Sequence, residues 1–375
     1  MSKFIMLAAA AGLAQAYTNT DVGQFMLKNI DPIVMPGEYK SHMHSFFGSD
    51  TVTKDLPTSQ ELRAGCSTAK NPNDFSVYWV PTLYHVDKAS NTRTAIKPKR
   101  FTAYYNFEKT AAEVPIPENY NAVAGNADAT SVADVNSNTK LAWLCEGEKF
   151  DAGGKEWSDF PLSTCSKNLQ VAFFFQDCVN SETLESAYSS GGKCPEGMKT
   201  MPQLRFSIRY DVKSAGSWKG DAPFELACGA SHCMHGDFIN GWLPETAKAM
   251  VTQLTEKRKF QSLDGPNGKT RAGTICKRSA VDQDPKNGTS DYEESLEMMK
   301  GTKAVRNIGK RSLQASISRN FASHQEQTRD IAARRAHQLH EQEARDAVAR
   351  RELALHKERH DAMRLHSRQV IPPRK

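Results

Sequence analysis

The chain has no C-x-x-C pair, no G-x-S-x-G elbow, no phosphate-binding Walker loop and no H-E-x-x-H helix. The short signatures of structural zinc, α/β-hydrolase, nucleotide and zinc-protease sites are therefore absent. No apolar run after Leu13 is long enough to span a bilayer. Beyond Tyr292 the only aromatic residue is Phe321, and a stretch so poor in apolar material cannot bury a core. Strand-like and helix-like segments do not alternate regularly, which excludes a doubly wound α/β sheet. The net charge of +6 over 375 residues is too small to argue for a nucleic-acid partner.

What is present divides the chain into four parts. Residues 1–16 read as a secretory signal: Lys3 is the positive start, Phe4–Leu13 the apolar run, and Ala14-Gln15-Ala16 a small-residue cleavage site. Eight cysteines behind such a signal predict disulfides, with the pairing left open; Cys228-x4-Cys233 permits a local clip. All five tryptophans precede residue 243 and all cysteines precede residue 277, so residues 17–276 form the packed domain. Residues 277–315 read as a polar linker, with Cys276 able to tie it back. Residues 316–375 read as a charged tail, helical or partly disordered, rich in strong helix formers with acid-before-base pairs such as Asp330–Arg334 and Glu341–Arg345. Secretion to the extracellular space or cell wall follows from the leader and cysteines, no membrane span is expected, and the sequon Asn287-Gly288-Thr289 can carry a glycan. Six of the eleven histidines lie in the tail, which is suited to contact with anionic polymers.

Within 17–276 the pattern is mainly β. Leu204, Phe206, Ile208 and Tyr210 alternate with Arg205, Ser207 and Arg209, whereas Val171–Phe175 is continuous and reads as a strand buried on both faces. Turn-forming clusters separate such runs. The expected fold is a disulfide-stabilised β-sandwich or irregular barrel with few helices, plus the charged helical C-terminal tail. One amphipathic helix is predicted from Pro244, with Ala247, Met250, Val251 and Leu254 on its apolar face.

Three constellations carry chemistry. In Ser41-His42-Met43-His44, residues two apart on an extended strand share a side, so His42 and His44 are candidate ligands for a divalent metal. In Met234-His235-Gly236-Asp237, a carboxylate beside an imidazole raises its basicity and orients it, which makes His235 and Asp237 the candidate catalytic pair. Gly236 and Gly241 imply tight backbone geometry. Tyr78, Trp79, Tyr84 and Trp242 are candidate sugar-stacking rings, although rings at strand spacing also build cores. Arg63 can pair with a sugar acid or form a structural ion pair.

These stretches together resemble a large secreted family, common in fungi, known only as a domain of unknown function and often found beside WSC or cellulose-binding modules. The resemblance runs in order through Asp31-Pro-Ile-Val-Met-Pro-Gly37, His42-x-His44, Leu62-Arg63-x-x-Cys66-Ser-Thr68, Tyr78-Trp-Val-Pro-Thr-Leu-Tyr84, Cys178, Cys194-Pro195 and His235-Gly-Asp-Phe-Ile-Asn-Gly-Trp242. It covers about residues 22–260. It implies secretion and a polysaccharide or cell-wall glycan as partner, and it supports a shared site for His42, His44, His235 and Asp237. The family carries histidines between the cysteines matching Cys178 and Cys194; here that stretch has none. Two functions are open: a carbohydrate-active enzyme using the His/Asp site, or a non-catalytic glycan-binding or structural wall protein.

Overall fold

The computed structural model describes residues 17–106, 112–148, 159–254, 260–269, 276 and 279–306. The expected leader and tail lie outside these residues. In chain order the strands are β1 (Thr18–Val22), β2 (Gln24–Lys28), β3 (His44–Gly48), β4 (Val77–Pro81), β5 (Leu83–Val86), β6 (Arg93–Ala95), β7 (Pro98–Tyr105), β8 (Asn121–Gly125), β9 (Ala142–Cys145) and β10 (Leu169–Phe174). They continue with β11 (Cys178–Val179), β12 (Ser186–Ala187), β13 (Lys199–Thr200), β14 (Leu204–Tyr210), β15 (Phe224–Leu226) and β16 (His235–Ile239). The α-helices are α1 (Ser59–Arg63), α2 (Pro244–Thr252) and α3 (Tyr292–Arg306).

Two five-stranded antiparallel sheets build the domain, ordered β1-β7-β14-β10-β9 and β2-β3-β4-β16-β8. Their inner faces meet in one apolar cluster, in which Phe47 packs on Phe101 at 4.6 Å and Tyr78 on Phe206 at 5.8 Å between ring centroids. This is the sandwich arrangement. Gly236 lies where the sheets approach closely: a Cβ there would sit 2.6 Å from the Phe173 ring and 2.7 Å from that of Phe206. Val171–Phe175 is buried apart from no residue, as the continuous run predicts. The expected polar face of β14 is largely covered as well, because Arg205 lies over the Tyr104 and Phe174 rings. Helix α2 begins at Pro244 as expected and buries Ala247 and Met250.

The outer face of the second sheet carries its own core of Met26, Ile30, Phe46, Val52, Leu62, Val77, Trp79 and Ile239. Helix α1 and the 29–41 loop supply its cover. Four disulfides pair Cys66–Cys276, Cys145–Cys165, Cys178–Cys194 and Cys228–Cys233. The last is the local clip that the spacing permits.

Within the stretch 277–315 read as a polar linker, residues 279–292 make contacts with the domain. The Lys28 ammonium pairs with Asp282 at 2.7 Å, Gln283 Nε2 donates to Asp50 at 2.9 Å, and Thr289 N–H donates to Asn29 at 2.7 Å. The Tyr292 ring packs on Tyr84 at 4.7 Å. A polar composition hides such a contact, because hydrogen bonds to buried partners and the Cys276 disulfide replace the apolar burial that sequence patterns reveal. Among the described residues no helix is long and apolar enough to cross a membrane.

Candidate metal centre

Strands β3, β4 and β16 lie side by side, so their alternating outward residues form rows across the sheet. His44 faces Pro81 across the β3–β4 ladder, and Asp237 faces Trp79 across the β4–β16 ladder. His235, two residues before Asp237, therefore falls level with Pro81. The two histidines come from strands about 9.6 Å apart, with the compact Pro81 between them. Phe46 and Trp79, stacked at 5.5 Å, complete the apolar surroundings.

Each imidazole is anchored from behind by a backbone carbonyl. His44 Nδ1–H donates to Ile30 O at 2.9 Å, and His235 Nδ1–H donates to Cys233 O at 2.8 Å. Carbonyls only accept, so these bonds fix the Nδ1–H tautomer of both neutral rings and leave an Nε2 lone pair on each. The two Nε2 atoms face each other at 3.3 Å. Asp237 Oδ2 lies 3.8 Å from His235 Nε2, beyond hydrogen-bond reach, and no donor among the described residues meets either Asp237 oxygen. His44, His235 and Asp237 are 0 %, 2 % and 0 % exposed.

Two lone pairs and an unpartnered carboxyl converging in an apolar site are costly in the absence of a cation. With metal–nitrogen bonds of about 2.0–2.1 Å, a tetrahedral ion holds two nitrogens about 3.3–3.4 Å apart, which matches the observed spacing. Asp237 would have to close by about 0.4 Å to ligate. All three donors fall within 4.8 Å of one another. Two imidazoles and one carboxylate form a recognised donor set for divalent transition metals.

Electrostatics agree with this fit. Burial, reinforced by the neighbouring His235, holds the His44 imidazole well below its usual range. Burial lowers His235 to about 4 against the opposing pull of the Cys233 carbonyl and the Asp128 carboxylate. Burial, with the field of Asp31, raises Asp237 well above the carboxylate range. The close His235–Asp237 approach is therefore not an ion pair in the metal-free protein: both groups are held neutral. A divalent cation reverses the preference by taking up the Asp237 charge and both lone pairs.

The structure thus brings His42, His44, His235 and Asp237 together. His235 and Asp237 converge with His44 as a donor set, whereas His42 precedes β3 and is only half-buried. Its ring centroid is 4.2 Å from that of His44 and 5.0 Å from that of His235. Of the expected sugar-stacking rings, Trp79 borders the site, stacked on Phe46. Tyr78, Trp79, Tyr84 and Trp242 are 0 %, 0 %, 3 % and 1 % exposed and offer no ring face to solvent, because each is packed in an apolar cluster. Arg63 forms the structural pair, bidentate to Glu118 at 3.0 and 2.9 Å, and donates to Trp242 O.

The groups that hold and tune the donors from behind were not visible as chemistry. The Ile30 and Cys233 carbonyls have no side-chain signature, and Asp31, with its carboxyl raised to about 6 by burial, appears in sequence only within the Asp31–Gly37 motif. The histidine-free stretch between Cys178 and Cys194 contributes nothing to the donor set.

A protein-family profile described as Domain of unknown function (DUF1996) matches residues 31–242, which include every one of these donors. No curated protein and no solved structure matches the chain.

Proposed function

We propose, for a chain that belongs to the DUF1996 family, a secreted, wall-polysaccharide-directed enzyme whose chemistry depends on a divalent metal held by His44, His235 and Asp237. The observation that carries this reading is the pair of Nε2 lone pairs 3.3 Å apart beside a buried carboxyl that meets no donor. Such a metal polarises a substrate oxygen or lowers the pKa of a bound water. The protein's own residues supply the rest: backbone carbonyls fix both imidazoles, Phe46 and Trp79 pack beside them, and the half-buried His42 ring lies against both. Four disulfides support an extracellular setting. The glycan substrate is supported by the sequence resemblance; within the sequon Asn287 is exposed and Thr289 is buried.

The non-catalytic alternative draws no support from the four aromatic rings, which are in the core. The test combines metal analysis with a product screen. The chelator-treated protein is titrated with Zn2+, Mn2+ and Fe2+, then incubated with a panel of wall polysaccharides while soluble oligosaccharides are read by mass spectrometry. We expect one ion bound per chain, lost in His44→Ala and Asp237→Asn, and metal-dependent release of product. Stoichiometric metal without product from any polymer would move the assignment to a non-catalytic metalloprotein; no metal binding would overturn the centre itself.

A further inference from the structure

We infer that opening the Cys228–Cys233 disulfide creates a second, thiolate-containing metal site from His42, Cys228 and His235. This regulation rests on the reading of His235 as a metal ligand. One donor atom from each of the three residues lies within 4.8 Å of the other two. In the oxidised chain the Cys228 sulfur is committed to Cys233 and provides no thiolate.

The two ends of that bond are held independently. Cys233 closes a single 3-10 turn, Ser231–Cys233, in which its N–H donates to Ala230 O at 3.0 Å. The same turn is pinned by Trp143 Nε1–H, which donates to Ser231 O at 3.1 Å. Cys228 sits in a tight turn closed by reciprocal backbone bonds between Leu226 and Gly229, both 2.8 Å. Breaking the S–S bond therefore removes neither anchor. His235 keeps its Cys233 carbonyl, and Cys228 stays beside the imidazoles.

Access favours the same end. Cys228 is half-buried whereas Cys233 is 1 % exposed, so a small thiol meets the Cys228 sulfur first. Its thiolate attacks that sulfur, Cys233 leaves as the thiolate and takes a proton, and a second thiol resolves the mixed disulfide. Two reductant thiols become one disulfide, and Cys228 and Cys233 each gain a proton. Metal binding then displaces the proton of Cys228. A thiolate shifts preference toward soft and borderline ions such as Cu+ and Zn2+, away from the ions suited to the N,N,O set. The two donor sets compete for His235, so the redox state of one short disulfide selects which metal is held.

Co2+ is the probe, used with the full chain. Cys233→Ser leaves Cys228 as a thiol without any reductant, and Cys228→Ser removes it while breaking the same disulfide. Expected is a near-ultraviolet thiolate-to-cobalt charge-transfer band in Cys233→Ser, absent from Cys228→Ser and the oxidised wild type, and lost when His42→Ala is added. A Cys233→Ser protein that melts with Cys228→Ser and binds Co2+ without that band overturns the inference and leaves the oxidised centre standing. A wild type that binds no Co2+, beside a Cys233→Ser protein that shows the band, overturns the oxidised centre alone. Should Cys233→Ser fail to fold, Cys233→Ala gives the same readout.

Discussion

Freed of metal by a chelator, the Asp237→Asn protein is expected to be more stable than the wild type, although it has lost its metal affinity. Asp237 is fully buried and neither oxygen meets a donor. An unsatisfied buried polar group costs about 1–3 kcal/mol. Asparagine keeps the shape and, having no negative charge to give up on burial, avoids the protonation cost that Asp237 bears above its unfolded value. The gain is therefore about 1–3 kcal/mol, at about 2–4 °C of Tm per kcal/mol for a domain of this size. The pH dependence has a definite sign. Burial raises the Asp237 carboxyl above its unfolded value of 3.8, so its contribution to stability is complete below that value and is lost as pH rises. Asparagine does not titrate, so the variant's advantage widens between about pH 4 and about pH 7. Zn2+ at about 100 times its Kd should add about 2.7 kcal/mol to the wild type and nothing to the variant. Denaturation followed by circular dichroism, with chelator and with Zn2+, measures both effects. A variant less stable than wild type in chelator, with equal Zn2+ shifts in the two proteins, would refute the reasoning.

Three further perturbations probe the framework. Gly236→Ala pushes a methyl against the Phe173 and Phe206 rings and should cost about 1–3 kcal/mol in urea unfolding, with weaker metal binding because His235 and Asp237 flank it; an unchanged midpoint would show that the sheets have slack. Asp74, whose carboxyl burial raises from 3.8 to about 6, contributes stability that is complete below the unfolded value and lost as pH rises through about 6. This is worth about 3 kcal/mol, and Asp74→Asn should flatten that part of the stability–pH curve, with an unchanged slope counting against it. Replacing both Cys66 and Cys276 with Ser opens a loop with a sequence separation of 210 and should cost about 2–5 kcal/mol. Limited proteolysis should then cut first within 279–292; cleavage no faster than in wild type would show that the polar contacts suffice alone.

Much of the fold was legible because its signals are local. Period-two alternation marks Leu204–Tyr210, the unbroken apolar run marks Val171–Phe175 as buried on both faces, and Pro244 with Ala247 and Met250 marks α2. The pairs His42/His44 and His235/Asp237 were legible for the same reason, since residues two apart on extended chain share a side. The docked 279–292 segment was not, because its attachment is polar and its partners Lys28, Asn29 and Asp50 lie more than 200 residues away.

The sequence by itself determined the β class, a domain held by paired cysteines, and the two histidine motifs as candidate chemistry. Tertiary structure alone decided that β3 and β16 flank β4, which brings His44 to His235 across 191 residues. It also decided that the Tyr78, Trp79, Tyr84 and Trp242 rings turn into the core, and which cysteines pair. Alternation along one strand is set by the pleat, but the choice of neighbouring strands is made by burial of the whole sheet, and no local pattern carries it.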